Sequence, residues 1–212
     1  MIFSIILPIY NENYNDYRDL LGSILSNSFK KYEIIIIDDT FYSKENKFKD
    51  LAKSVGAKYY NNKKKLGLSM SCNLGLSFAK GKYVIFLNCD NIIQSDFLIK
   101  ANKKLIKNDA DTMMLYNRVL NFKNKFGQFV HSQSVKNILN GDRVKKLFNF
   151  NFLSYTEGFI VKKKLLEISG GFYDHNENFL KAGEDFIFAN ELRKIKNLKS
   201  IIDFSLNVSH TV

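Results

Sequence analysis

Apolar residues recur along the chain in short continuous runs that are separated by more polar stretches. A strand buried on both faces of a parallel sheet is expected to give such a run, without strict alternation of apolar and polar residues. The runs predict strands over residues 2–7, 32–37, 57–60, 83–87, 112–120 and 155–161. Between the first four runs, apolar residues at helical spacing predict helices over 16–28, 44–55 and 67–79.

Strand and helix alternate up to Asn91, and this order implies parallel strands joined by right-handed crossovers. Pro8 is expected to end the first strand, because proline cannot donate to a sheet ladder. Beyond Asn91 the sequence predicts a less regular series of elements. These are helices over 95–107, 163–168 and 184–194, a turn at 170–172, and short closing strands at 201–202 and 208. The prediction is an α/β, Rossmann-like fold in one domain, with a mostly parallel central sheet flanked by helices and a small additional subregion.

Two predicted strands end abruptly in carboxylates. Asp38 and Asp39 follow the run of isoleucines, and Asp90 follows the 83–87 run. The carboxyl ends of parallel strands open onto one edge of the sheet, where ligands bind in open α/β folds. A carboxylate there can hold a metal ion against a phosphate, so Asp90 is the candidate metal anchor of a sugar-nucleotide site. No GxGxxG follows the first strand, which disfavours dinucleotide binding.

Composition and charge restrict the possible classes of protein and partner only a little. The chain has 212 residues, of which 45% are hydrophobic and 25% charged, as in ordinary globular proteins. The net charge of +11 favours anionic partners such as nucleic acid, an anionic membrane surface or phosphorylated substrates. Most of the excess is lysine, accompanied by many asparagines and isoleucines, and an AT-rich genome would explain it equally well.

The location of the protein is predicted from its apolar runs and its cysteines. The amino-terminal run is too short for a signal peptide and has no basic residues before it, and no stretch approaches the ~18 apolar residues of a membrane span. Cys72 and Cys89 have no zinc-like spacing, so two buried free thiols are expected, with a disulfide as the alternative. We expect a cytoplasmic protein, and peripheral attachment to a membrane stays open.

Five short motifs follow one another along the chain. They are Pro8-Ile9-Tyr10-Asn11-Glu12; Ile34–Asp39; Gly67-Leu68-Ser69 followed by Asn73 and Gly75; Asn88-Cys89-Asp90; and Gly170-Gly171-Phe172 followed by Gly183-Glu184-Asp185. Each motif is weak alone, but the set, its order and its spacing resemble the family 2 glycosyltransferases from Ile5 to His210.

The resemblance implies a GT-A fold and an inverting sugar transfer. The donor would be a nucleotide-diphosphate sugar, UDP- rather than GDP-, and the acceptor a hydroxyl of a glycan, glycolipid or protein. Residues 1–91 would form the nucleotide-sugar-binding half and residues 92–212 the acceptor-binding half. The oligomeric state is not predicted.

The resemblance also implies roles for individual residues. Asp185 is the implied base that accepts the proton of the attacking hydroxyl, and Glu184 beside it would serve substrate binding or structure. Asp90 and His210 are the implied ligands of Mn²⁺ or Mg²⁺, which would neutralise the leaving diphosphate. The implied donor-binding residues are Pro8, Tyr10, Glu12, Asp39, Gly67, Asn73 and Asn88, whereas Asp38 is expected to be structural.

Two positions depart from the family pattern. Asn88 stands at the first Asp of the DxD motif, which removes one charge and is expected to weaken metal affinity. Cys72 stands where the family often has arginine, and Lys64 or Lys65 is a candidate replacement for the lost phosphate or ribose contact. A catalytically weakened homologue is therefore one alternative.

Two other classes of protein are alternatives to an enzyme of this family. A nucleotidyltransferase would need a Gly-, Arg- or Lys-rich phosphate loop after the first strand, where this chain has Pro8–Asn13 instead. The net charge of +11 motivates a module that binds a membrane surface or, as the less expected partner, nucleic acid, and the basic and aromatic segment 121–150 partly fits this alternative. The same segment would suit an acceptor-side lid or docking patch of the enzyme.

Overall fold

The computed structural model describes residues 1–40, 47–120, 159–172, 191–192 and 194–211. In these residues the strands are β1 (Phe3–Ile9), β2 (Tyr32–Asp38), β3 (Lys58–Asn61), β4 (Tyr83–Phe86), β5 (Asn91–Ile93), β6 (Thr112–Leu120), β7 (Ile160–Lys162) and β8 (Ser200–Thr211). The helices are α1 (Tyr14–Leu25), α2 (Lys47–Ser54), α3 (Leu68–Phe78), α4 (Phe97–Lys107) and α5 (Lys163–Ile168).

Within the described residues the strands form one sheet in the order β3-β2-β1-β4-β7-β6-β8-β5. The first four of these pair in parallel, with β1 between β2 and β4. The connections therefore lead to one side of β1 first and then to the other, which makes β1 the switch point of the sheet. The predicted meeting of the Asp38–Asp39 and Asp90 clusters at one edge is confirmed.

The sheet continues without a break into the later part of the chain. There β7 pairs antiparallel with β4 and with β6, β6 pairs in parallel with β8, and β8 pairs antiparallel with β5. The prediction of short closing strands was wrong, because one long strand, β8, runs beside β6. Its polar middle makes a bulge, in which the Asp203 carboxylate accepts hydrogen bonds from the N–H groups of Ser205 and Leu206.

The first strand also departs from its prediction, because it continues through Pro8 to Ile9. The carbonyl of Ile6 accepts a hydrogen bond from Leu87 on the β4 side, and that of Ile9 accepts one from Asp39 on the β2 side. Successive residues of a strand direct their backbone N–H and C=O groups toward opposite neighbouring strands. The backbone of Pro8 therefore faces β4. Because the pairing of β1 with β4 ends at Ile6, the missing N–H of Pro8 leaves no hydrogen bond of the sheet unmade.

Apolar side chains fill both faces of the sheet, as the unbroken apolar runs predict. On one face, Phe3, Ile5 and Leu7 of β1 pack with buried residues of α1, α2 and α4. On the other face, Ile6 packs with buried residues of α3 and α5. A Cβ built on Gly75 would lie 2.5 Å from Cγ2 of Ile6, so this glycine lets α3 approach β1 closely.

Two further observations concern the thiols and the helices. Cys72 and Cys89 are both buried thiols that form no disulfide, as predicted. Among the helices of the described residues, none combines the length and apolar character needed to cross a membrane.

Candidate functional site

A cleft of about 350 Å³ opens where the carboxyl ends of β1, β2 and β4 meet. It is lined by Pro8, Ile9, Tyr10, Glu12, Asp39, Lys65, Gly67, Leu68, Ser71, Asn88, Cys89 and Asp90. Seven of the residues predicted to bind the donor or the metal are thus brought together. Ile9, Leu68, Ser71 and Cys89 were not singled out, because nothing in the sequence marks an apolar or small residue as part of a cleft.

The turn after β1 presents Tyr10 and Glu12 to this cleft. Between them, Asn11 adopts a left-handed backbone conformation with φ of 53°, which asparagine tolerates better than most residues. The N–H of Asn11 donates to Oγ1 of Thr40 at 2.8 Å, so the segment after β2 holds the turn in place. The ring of Tyr10 is 42% exposed, and Nζ of Lys65 lies 4.1 Å from its centroid.

The carboxyl group of Glu12 shares the cleft with that of Asp90. Desolvation inside the cleft raises the pKa of Glu12 above its ordinary value, and the negative charges of Asp90 and Asp16 raise it further. A hydrogen bond with the backbone of Tyr10 opposes this shift in pKa. The two carboxylates repel each other, and a positive charge between them would relieve that repulsion.

Asp38 has a structural environment, as expected. Its carboxylate accepts hydrogen bonds from the N–H of Thr40, at 2.8 Å, and from the hydroxyl of Tyr59. These bonds tie the end of β2 to its own following loop and to the neighbouring strand β3.

Asp39 lines the cleft but also organises the backbone around it. Its Oδ1 accepts hydrogen bonds at 2.8 Å from the N–H of Leu66 and from Nδ2 of Asn62. Its Oδ2 accepts one at 2.8 Å from the N–H of Gly67, the N-cap residue of α3. Asp39 therefore fastens the amino-terminal end of α3 to the end of β2, an arrangement that also sets the position of Lys65.

The loop between β4 and β5 supplies the remaining polar wall of the cleft. Asn88 and Asp90 are partly exposed there, whereas Cys89 is only 3% exposed. Burial raises the pKa of the Cys89 thiol, and the nearby carboxylates of Glu12 and Asp90 raise it further. Cys89 is therefore held as a neutral thiol.

Two residues named from the family pattern are placed away from this cleft. The side chain of Asn73 pairs with the main chain of Phe172 through two hydrogen bonds, and Asn73 is not among the residues that line the cleft. Cys72 is 4% exposed and belongs to the apolar cluster on the α3 face of the sheet. A larger polar side chain at position 72 would have to leave that cluster.

The other predicted site residues are described only in part. Glu184 and Asp185 lie outside the described residues, as does the basic segment 121–150. The backbone of His210 pairs with Asn91, the residue after Asp90, so β8 brings this position next to the loop that carries Asp90. The side chain of His210 lies outside the description.

The oxygen-bearing side chains of the cleft suit a hard divalent cation. Within the described residues, no group of three or more His, Cys, Asp and Glu side chains is arranged to hold a metal by itself. Mg²⁺ is commonly bound by only one or two carboxylates together with substrate phosphates. Asp90 can supply such a carboxylate ligand, and Glu12 and Asn88 lie beside it in the cleft.

Comparisons with known proteins bear on the family and on the fold of the chain. The model of the family described as glycosyl transferase family 2 matches residues 4–169 of the chain. The glycosyltransferase GlyA of Streptococcus pneumoniae is 31% identical over 110 residues, which make up 51% of this chain. The matched region covers only 16% of GlyA, so the chain corresponds to a small part of that relative.

Two solved structures have the same architecture. S. aureus TarS 1–349 in complex with UDP-GlcNAc superposes with a TM-score of 0.76 at 19% identity, covering 100% of this chain and 59% of TarS 1–349. The mannosyltransferase PcManGT of Pyrobaculum calidifontis, in complex with GDP-Man and Mn²⁺, superposes with a TM-score of 0.68 at 16% identity. That match covers 98% of this chain and 56% of PcManGT. The shared architecture is the GT-A fold, which confirms the predicted fold class.

Proposed function

Because this chain belongs to glycosyl transferase family 2, we propose that it moves a sugar from a nucleotide-diphosphate sugar to an acceptor hydroxyl. The observation that carries this proposal is the cleft at the β1 switch point, where Tyr10, Lys65 and Asp90 face one volume. These side chains provide an aromatic face, a positive charge and a carboxylate. A nucleoside diphosphate offers matching parts, namely a base to stack, a diphosphate to neutralise and oxygens that share a cation.

The nucleoside would lie along the ends of β1 and β2. Tyr10 presents an exposed ring to the cleft, and Pro8 and Ile9 provide apolar surface beside it. The cleft volume of about 350 Å³ is near the lower limit of roughly 300–1,000 Å³ for ligand pockets. Of the two fold neighbours solved with a donor, TarS with UDP-GlcNAc superposes with the higher TM-score than PcManGT with GDP-Man, which supports a uridine nucleotide. The donor in the proposal is therefore a UDP-sugar.

The diphosphate would lie between Lys65 and the loop 88–90. Asp90 would hold Mn²⁺ or Mg²⁺ there, with Glu12, Asn88 and His210 as neighbouring candidates, and the cation would neutralise charge on the leaving diphosphate. PcManGT, a neighbour in fold, was solved with Mn²⁺. Because Asn88 is neutral, this side of the cleft contributes one charge fewer than two aspartates would, and Glu12 offsets part of that difference.

The chemical step would be a single displacement. The acceptor oxygen attacks the anomeric carbon as the bond from that carbon to the diphosphate oxygen breaks, so the anomeric configuration inverts. Asp185 would accept the proton of the attacking hydroxyl, and Glu184 would help to bind the acceptor. The assignment of these two roles is supported by the family motif around Gly183. A glycan, a glycolipid or a protein would supply the hydroxyl.

Incubation of the purified chain with UDP- and GDP-sugars and Mn²⁺ tests this proposal. The expected result is slow hydrolysis of a UDP-sugar, with water as acceptor, and release of a sugar whose anomeric configuration, read by NMR, is inverted. Asp185→Asn should abolish hydrolysis and keep UDP binding, whereas Asp50→Asn, an exposed carboxylate on α2, should behave like the wild type. If the wild type neither binds nor hydrolyses any donor, the proposal is overturned.

A further inference from the structure

The loop that carries Asp90 is short and is held at both ends by a single buried residue. Only residues 87–90 connect β4 to β5, and three of them line the cleft. Asn91, the first residue of β5, is completely buried. The resemblance to the family implies no role for this asparagine.

Asn91 makes three hydrogen bonds with this loop. Its Oδ1 accepts from the N–H of Asn88 at 2.8 Å, and its own N–H donates to the carbonyl of Asn88 at 3.0 Å. Its Nδ2 donates to Oδ1 of Asp90 at 3.1 Å. One side chain therefore spans the loop and contacts the carboxylate that is the candidate metal ligand.

The position of Asn91 is fixed by regular structure and not by the loop itself. Its backbone is paired with His210 across the β5–β8 ladder. Two residues further on, the N–H of Ile93 donates to Oγ of Ser23 in α1 at 3.2 Å. The bond from Asn91 to Asp90 is thus anchored in the sheet and in α1.

The chemistry at this position requires an amide. The N–H of Asn88 needs an acceptor and the carboxylate of Asp90 needs a donor, and only one orientation of the Asn91 amide provides both. A carboxylate at position 91 would still accept from Asn88 but would face Asp90 with a like charge. A shorter side chain could not make both contacts.

We infer that Asn91 is a positioning residue that sets the orientation of the Asp90 carboxylate toward the cation and diphosphate of the donor. The inference rests on the proposed function, because it assigns a use to Asp90. It extends that function by naming a buried residue that touches neither the donor nor the cation. Residues that hydrogen-bond a metal ligand typically change metal affinity about 10–100-fold when they are replaced.

The test is calorimetric titration of UDP into wild type and variants, in Mn²⁺ and in EDTA, with free Mn²⁺ counted separately by electron paramagnetic resonance. The measured quantity is the ratio of the UDP dissociation constant in EDTA to that in Mn²⁺. Asn91→Asp should lower this ratio by about 10-fold or more, through weaker Mn²⁺ binding, and leave the affinity in EDTA unchanged. Asn91→Ser is the second variant, should the buried charge prevent folding, and the same loss is expected for it.

Asn27→Asp is the matched control. Asn27 is also completely buried, and its amide accepts from the N–H of Leu98 at 3.0 Å and donates to the carbonyl of Ser23 at 3.1 Å. It does not line the cleft. Asn27→Asp should lower stability and keep the wild-type ratio.

The possible results separate the inference from the proposed function. An unchanged ratio in the Asn91 variants, or an equal loss of UDP affinity in Mn²⁺ and in EDTA, would overturn the positioning role while the proposed function stands. A wild type that binds no UDP or GDP would overturn the proposed function and the inference together. A wild type that binds UDP without any effect of Mn²⁺ would overturn the inference and the metal site, but not donor binding.

Discussion

Asn73 and Phe172, which are 99 residues apart, form a closed pair of hydrogen bonds. Nδ2 of Asn73 donates to the carbonyl of Phe172 at 2.8 Å, and the N–H of Phe172 donates to Oδ1 of Asn73 at 2.8 Å. The ring of Phe172 then packs edge-on against Phe86, the last residue of β4, with 5.0 Å between the centroids. Helix α3 is therefore tied to β2 at its start, through Asp39, and to the turn after α5 in its middle.

This pairing predicts that Asn73→Ala lowers stability and leaves donor binding intact. Loss of the two partly buried hydrogen bonds should reduce the free energy of unfolding by about 1–3 kcal/mol. Urea denaturation measures this change, and Asn15→Ala, at an exposed position in α1, serves as the control with a change within about 0.5 kcal/mol. Unchanged stability together with weaker UDP binding would instead support the donor contact that the family pattern implies for Asn73.

The two adjacent glycines of the same turn should respond differently to substitution. Both have a left-handed backbone, with φ of 82° at Gly170 and 75° at Gly171. Alanine at Gly170 meets open space, so only the backbone cost of about 1 kcal/mol is expected. At Gly171 a Cβ would lie 2.5 Å from Oδ1 of Asn73, so Gly171→Ala should cost more, because it also disturbs the Asn73–Phe172 pair. Equal losses in thermal denaturation would argue against this close contact.

Acid should destabilise the protein in part through Glu33. Burial alone would raise the pKa of Glu33, but hydrogen bonds from Lys58, Ser4 and the N–H of Lys80 outweigh it and lower the pKa below 4.5. A group with a lowered pKa stabilises the folded state above its unfolded pKa, and this contribution is lost as the pH falls through the folded value. The free energy of unfolding should therefore fall as the pH drops below about 4.5.

Glu33→Gln isolates this contribution. The variant should be less stable than the wild type at neutral pH and should lose less stability on acidification. Glu167→Gln, which removes the exposed ion pair with Lys163, should keep the wild-type slope. Parallel acid profiles for Glu33→Gln and the wild type would contradict the assigned role.

The parallel half of the fold was predictable because its information is local. Unbroken apolar runs such as Ile34–Ile37 mark strands buried on both faces, and the carboxylates after them mark the edge where the strands end. The later half depends on pairings between residues far apart in sequence. Strand β5 has only three residues and exists because β8 pairs with it, which no local pattern reveals.

The residues of the candidate site also divide into those that could be predicted from the sequence and those that could not. Asp39 and Asp90 were predicted to lie together because both follow strands whose carboxyl ends meet at one edge of the sheet, whereas Tyr10 and Glu12 were implied by the resemblance of the first motif to the family. The bonds of Asn73 and Asn91 were not found, because an asparagine has the same appearance in sequence whether it faces a ligand or a neighbouring main chain. The contact of Lys65 with Tyr10 also depends on the loop geometry that Asp39 imposes.

Lys65 should contribute to donor affinity through its charge. It lines the cleft and stands over Tyr10, whereas Lys63 is exposed and outside the cleft lining. Lys65→Ala should weaken UDP binding several-fold, more at low salt than at high salt, because screening weakens exposed charge interactions. Lys63→Ala should have a smaller effect. Identical effects for both variants would show a general electrostatic attraction and no specific contact of Lys65.

Titration of UDP into the wild type and Asp90→Asn, with and without Mn²⁺, tests most directly whether this cleft binds a nucleotide diphosphate through Asp90. Asparagine keeps the size of the side chain and removes its charge. The wild type should bind UDP more tightly in Mn²⁺ than in EDTA, and Asp90→Asn should lose most of that gain while keeping its affinity in EDTA. A wild type that binds neither UDP nor GDP, or an Asp90→Asn variant with the full gain from Mn²⁺, would contradict the proposed site.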